Sequence, residues 1–348
     1  MRKVSVALAA LLVLTGCARE AADTTAEPPR GTASPSVSAT AAATSGLLKA
    51  LAGVSGEGPA AAYLEYGEPA WWRGLGVKDG SGDGRRWLPV TFSGLGSLAD
   101  AAAVMPKITG MTPEAATRVI SIGVPPRQAF RFDGGVDPDA VRKKLAALGA
   151  EPRRMGGHDG LSFSPGDEID ASRMIVPGVT NQLNQVVVTD TTVATASAPG
   201  PLAAVLDAGS SSLADSPGHA AVAGCLGDVA TATIMASPAP GAVTLYAVGL
   251  RRPAGLADRP VNVICVLPTA SAAAEVERAL TTRLTPAGNM RDGGTYGKYA
   301  SEIAHDQVRA GGHTVLRAVL TLSDTADVLF VNRLLYQGEL QTLTAAAF

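Results

Sequence analysis

Three β-rich runs, Val229 to Ala236, Val243 to Leu250 and Val261 to Leu267, follow one another with only Pro- and Gly-containing turns between them. Short branched and apolar runs punctuated in this way read as neighbouring strands of an antiparallel sheet. The next stretch, Thr269 to Leu284, changes period. Ala272, Val276, Ala279, Leu280 and Leu284 fall on one helical face, which predicts an amphipathic helix laid on that sheet. Tyr299 to Val308 and Thr314 to Leu322 then form a hairpin across Gly311-Gly312, Ala326 to Leu335 a closing helix, and the final dozen residues a frayed end.

The earlier half has the same texture. Ala60 to Tyr66 alternates as a strand, with Tyr63 and Glu65 on one face. Leu95 to Met105 suits a short helix, and Arg118 to Gly123 and Gln128 to Phe132 are strands joined by a turn at Pro125-Pro126. The clearest helix has Asp137 as cap, Pro138 at its first position, Val141, Leu145 and Leu148 as its apolar stripe, and Gly149 as its stop. A strand at Gly160 to Ser164, a hairpin of Gln185 to Val188 with Thr192 to Ala196, and a short helix at Leu202 to Leu206 follow. The expected fold class is α+β, with antiparallel sheets and helices packed on one face. The element order further suggests two similar ββαββα-type units, residues 46–210 and 211–348.

The first 45 residues are of another kind. Arg2 and Lys3 precede an 11-residue apolar run, Val4 to Leu14, roughly half of the ~20 residues that a helix needs to cross a bilayer. It reads as the core of an export signal, residues 1–16, and it ends in Leu14-Thr15-Gly16-Cys17. These four residues resemble the lipobox of bacterial lipoproteins. The resemblance implies that the signal is cut before Cys17, that Cys17 carries a thioether-linked diacylglycerol, and that the protein is held on the outer face of the cytoplasmic membrane. Ala18 to Ser45 is almost entirely Ala, Thr, Ser, Pro, Gly and a few charges, which suits a disordered tether reaching roughly 30 Å. With its Ala-, Gly- and Pro-rich composition the chain resembles actinobacterial lipobox lipoproteins, in which such a stalk precedes an α+β module without an assigned role.

Formal net charge is −2, and −4 once residues 1–16 take Arg2 and Lys3 with them. With no run of like charge, this disfavours nucleic acid as a partner. Export assigns the cysteines: Cys17 to lipid, Cys225 and Cys265 to a disulfide closing a loop of about 40 residues, or else to two separate buried thiols. All three tryptophans lie in one aromatic-rich stretch. Trp71, Trp72 and Trp87, with Tyr63 and Tyr66, are candidates to stack on a flat ligand such as a sugar. The more ordinary reading is a packed corner.

Asp79 to Gly84 begins like a calcium loop, but Val90 stands where the bidentate Glu belongs, and the acidic turn Asp167-Glu168-Ile169-Asp170 has no histidine beside it. No metal or cofactor is expected. No nucleophile elbow, zinc-protease motif or phosphate loop occurs, and a hydrolase would need a serine or carboxylate near His158 or His305. No catalytic residue is therefore assigned. The expected function is non-catalytic binding of an envelope protein, glycan or lipid, with a lipid or glycolipid carrier as the rival and an envelope hydrolase third.

Overall fold

A computed structural model describes residues 45–77, 82–166, 168 and 174–345. The lipobox at Leu14 to Cys17, the tether up to residue 44, residues 79–81 of the glycine-rich loop, and Asp167, Ile169 and Asp170 of the acidic turn lie outside the described residues.

The folded chain opens with α1 (Gly46–Ala52), whose first turn is capped by the Ser45 hydroxyl accepting the Leu48 N–H at 3.2 Å. α2 (Pro59–Ala62), β1 (Tyr63–Gly67) and α3 (Pro69–Gly74) follow. Two 3₁₀ helices, Gly82–Phe92 and Gly96–Ala101, and α4 (Met105–Thr109) lead to β2 (Arg118–Val124) and β3 (Arg127–Asp133). α5 (Pro138–Ala147) starts as its sequence predicts, with the Asp137 carboxylate accepting the Ala140 N–H at 3.0 Å. Then come β4 (Glu151–Met155), β5 (His158–Ser162), β6 (Gln185–Val188), β7 (Thr192–Ala196), α6 (Pro199–Leu206) and α7 (Pro217–Leu226). The last part runs β8 (Val229–Ala236), β9 (Val243–Arg251), β10 (Val261–Pro268), α8 (Ala273–Arg283), β11 (Ala300–Ala310), β12 (His313–Leu322), α9 (Phe330–Tyr336) and α10 (Glu339–Thr344). The end expected to fray is thus helical through residue 344, starting after Gly338 in the left-handed region.

The twelve strands found among the described residues form one antiparallel sheet, in the order β11-β12-β10-β9-β8-β1-β2-β3-β7-β6-β5-β4. The first strand therefore lies near the middle, between β2 and β8, with Leu64 opposite Ile122 on one side and Ile234 on the other.

The helices cover both faces of the sheet, where the sequence reading placed them on one. On the first face Leu47 and Leu51 of α1, Leu202 and Val205 of α6 and Val222 and Leu226 of α7 pack on Leu64, Ile120, Ile234 and Val263. On the second, Val276 and Leu280 of α8 and Phe330 and Leu334 of α9 pack on Tyr246, Val248, Ile264 and Val266. The physical reason is visible in β10. Val263, Ile264, Cys265 and Val266 are all apolar, and since successive side chains point to opposite faces, such a strand needs cover on both sides.

The disulfide is present. Cys225 of α7 and Cys265 of β10 are bonded with Cα atoms 6.2 Å apart, both wholly buried on the first face.

Candidate functional site

On the second face the core is split. One part, built on α5, gathers Val141, Leu145, Val119, Phe130 and Val193, and the other is the cluster under α8 to α10. The gap between them lies over β1 and β8, whose outward residues there are Tyr63, Glu65, Thr231, Thr233 and Met235. Their alternates, Leu64, Tyr66, Ala232 and Ile234, feed the core of the other face. This pair of strands keeps the polar-apolar alternation of a half-solvated sheet inside a sheet otherwise covered on both sides. The result is a cavity of about 720 Å³, walled by Phe92, Ala99, Val124, Leu329 and Leu335 among others, with Tyr336 at its edge.

Glu65 is its polar centre. Its carboxylate accepts the Tyr63 hydroxyl, the Tyr336 hydroxyl at 3.1 Å and the Gly96 N–H at 3.1 Å; the two tyrosine oxygens are themselves 3.1 Å apart. The Gly96 amide reaches Glu65 because the loop before it turns tightly. Gly94 has φ +82°, and a Cβ there would lie 2.7 Å from the Val119 carbonyl oxygen and 2.8 Å from the Gly67 nitrogen. Burial, and then the neighbouring Glu65 charge, push both phenols above the usual tyrosine range, so Tyr63 and Tyr336 keep their protons and serve as donors.

No lysine, arginine or histidine lines the cavity among the described residues. Glu65 therefore meets hydrogen-bond donors but no counter-charge. Asn332 donates to the Thr233 hydroxyl at 2.9 Å, leaving its carbonyl oxygen without a partner, and the Gln341 carbonyl oxygen and Thr231 hydroxyl are also unpartnered. Deeper in, Ser97 donates to Gln128 at 2.6 Å and accepts from Gln182 at 3.0 Å, so that end of the lining is satisfied.

The tryptophans are arranged otherwise. Trp72 and Trp87 have no exposed surface and stack with centroids 5.3 Å apart at 26°. Trp71 meets Trp72 edge-on at 4.7 Å and lies under the Arg252 guanidinium at 5.0 Å. The Trp87 indole N–H donates to the Leu256 carbonyl at 2.8 Å, and the cluster continues into Val90, Leu250 and Val328. A buried pair of this kind has no face to offer a sugar. Of the five aromatic residues singled out in the sequence, Tyr63 faces the cavity. Tyr66 borders it while packing into the opposite core, its hydroxyl bound to Glu68. Asn332, Tyr336 and Gln341 were missed, and nothing in their local sequence marks them; Thr231 and Thr233 were legible as the polar alternates of β8.

Neither His158 nor His305 is hydrogen-bonded to a nucleophile among the described residues. His305 meets the Leu284 carbonyl at 2.8 Å, while Asp306 pairs with Arg317. His158 shares a second cavity of about 370 Å³ with Ser55 and Asp207, where Ser55 accepts the Glu57 N–H at 3.3 Å and Asp207 the Gly209 N–H at 3.1 Å. His219 does bond Ser216, at 2.9 Å, with its other nitrogen on the Ala61 carbonyl at 3.2 Å. That pair sits at the start of α7 and opens on neither cavity. Among the described residues no group of three or more His, Cys, Asp or Glu could hold a metal ion, and no helix is long and apolar enough to cross a membrane.

Compared with protein-family models, curated protein sequences and solved structures, the chain matches none.

Proposed function

We propose that the chain is a lipoprotein anchored through Cys17 on the extracytoplasmic face of the membrane, and that its folded domain is a non-catalytic binding module whose ligand site is the cavity over β1 and β8. The observation that carries the binding reading is the cavity itself, about 720 Å³ of largely apolar-walled space with the Glu65 carboxylate in its lining and no lysine, arginine or histidine there among the described residues. A concave, mainly apolar site with a few polar groups, one of them an uncompensated carboxylate, is the usual form of a small-molecule site. The anchor rests on Leu14 to Cys17 and the composition of the tether.

Carriage of a lipid or glycolipid is the second reading, favoured by the apolar wall of Phe92, Ala99, Val124 and Leu335. Taking water's share of liquid volume, roughly 30 Å³, for each non-hydrogen atom, the space holds about two dozen of them. That suits a single-chain amphiphile better than a two-chain membrane lipid. The two-unit organisation belongs to the same reading, in altered form. β1-β2-β3 followed by α5 corresponds to β8-β9-β10 followed by α8, with four returning strands in the first unit and two in the second. The cavity would then lie where the units meet, at the pairing of β1 with β8.

Equilibrium dialysis of the full chain against octyl glucoside, below its micellar concentration, tests the site. Saturable one-to-one binding, lost when Ala99→Trp fills the cavity in a chain of unchanged melting temperature, is the expected result. Binding that survives Ala99→Trp would move the ligand elsewhere. Cys17→Ser tests the anchor, since it should shift the chain from the membrane to the soluble fraction.

A further inference from the structure

The lining of this cavity is one-sided in chemistry. Its one charged side chain among the described lining residues is the Glu65 carboxylate, set among neutral polar side chains such as Ser93, Thr231 and Gln341. The two phenols already spend their protons on Glu65, which leaves their oxygen lone pairs as further acceptors. Nothing in the lining matches an anionic head group, because no basic side chain is there among the described residues. A neutral ligand would leave the Glu65 charge uncompensated in a partly desolvated site, which is costly. A cation removes that cost, and Tyr63, Phe92 and Tyr336 put aromatic rings, which favour cations, in the same lining.

We infer that the ligand is an aliphatic ammonium compound, its cationic head held by Glu65 and its apolar body lying along Phe92, Val124 and Leu335. This rests on the cavity being the binding site. The head donates N–H bonds to the Glu65 carboxylate, so charge and hydrogen bonding are met by one contact. The chain length is limited by the same two dozen atoms of space.

Isothermal titration calorimetry of the full chain with octylammonium, octyl glucoside and octyl sulfate, each below its micellar concentration, tests the inference. Octylammonium should bind about tenfold or more tighter than octyl glucoside, as expected of hydrogen bonds to a charged group, and octyl sulfate weakest. Glu65→Gln should lower octylammonium affinity about tenfold, to the level of octyl glucoside, and leave octyl glucoside unchanged. Octyl glucoside or octyl sulfate binding as tightly as octylammonium overturns the ammonium assignment while leaving the cavity reading intact. So does a head-group preference that persists in Glu65→Gln. Absence of saturable binding by all three overturns the cavity reading and the assignment with it. The ranking on the unmodified chain stands on its own, whatever Glu65→Gln does to folding.

Discussion

Two aromatic groups begin within a few residues of each other, and they are opposites. Around Trp72 and Trp87 every ring has a neighbour: the indoles stack, Leu256 takes the Trp87 proton, and Arg252, itself paired with Glu68 and Asp228, lies over Trp71. Around Tyr63 and Tyr336 the rings flank a cavity, and the carboxylate between them has donors but, among the described residues, no cation. The first group was the more conspicuous in the sequence and is the less able to bind anything. Density of aromatic residues reports where large side chains pack; a carboxylate without a counter-charge beside open space reports where a ligand belongs.

Substitutions separate the two groups in opposite senses. Trp87→Ala should cost about 3–5 kcal/mol of stability, as for other buried aromatics, read from urea unfolding, with octylammonium affinity unchanged in native buffer. A loss below about 1 kcal/mol would break the comparison, since Trp87 would then not be core. Replacing Cys225 and Cys265 together by Ala should cost about 2–4 kcal/mol, again without touching the ligand, because the bridge ties α7 to β10 on the face away from the cavity.

A smaller effect comes from His219, a buried polar group whose two nitrogens both have partners. Burial holds its imidazole below the usual value of 6.5. The unfolded chain therefore takes up a proton that the folded chain refuses. The contribution is fully present above pH 6.5 and is lost as pH falls below it, by at most about 1.4 kcal/mol per pH unit. His219→Gln should flatten the pH dependence of unfolding just below pH 6.5. The smallest change in stability belongs to Glu65→Gln, under about 1 kcal/mol by urea unfolding, because the amide oxygen still accepts from the Gly96 N–H while its NH2 group donates to the tyrosine oxygens, whose hydroxyls rotate to accept. A variant with a large effect on binding and a small one on stability is the inverse of Trp87→Ala. Finding both effects large in either would merge the two regions into one.

The parts of this fold that the sequence showed are local ones. The hairpin of β6 and β7, the cap and stripe of α5 and the amphipathic α8 follow from turn residues and period over short stretches. Cover on both faces was written in the unbroken apolar run of β10, which the expectation of helices on one face overlooked. The single sheet was not legible, because Leu64 and Ile234 are joined only by tertiary pairing. The site divides in the same way. Tyr63 and Glu65 share a strand face by simple alternation, whereas Asn332, Tyr336 and Gln341 come from α9 and α10 at the far end of the chain. Gln341 in particular belongs to a short stretch after Gly338 that reads locally as an unravelling end.

The central place of β1 also sets an order of events during synthesis. A chain made from its N-terminus completes β1 early, and β2 soon gives it one neighbour, but the other edge of β1 has no partner until β8 emerges. Until then the nascent chain carries a bare strand edge, the kind of surface on which chains pair wrongly. Folding of so non-local a sheet should be slow, and it should benefit from chaperones that shield β1 until the second half arrives.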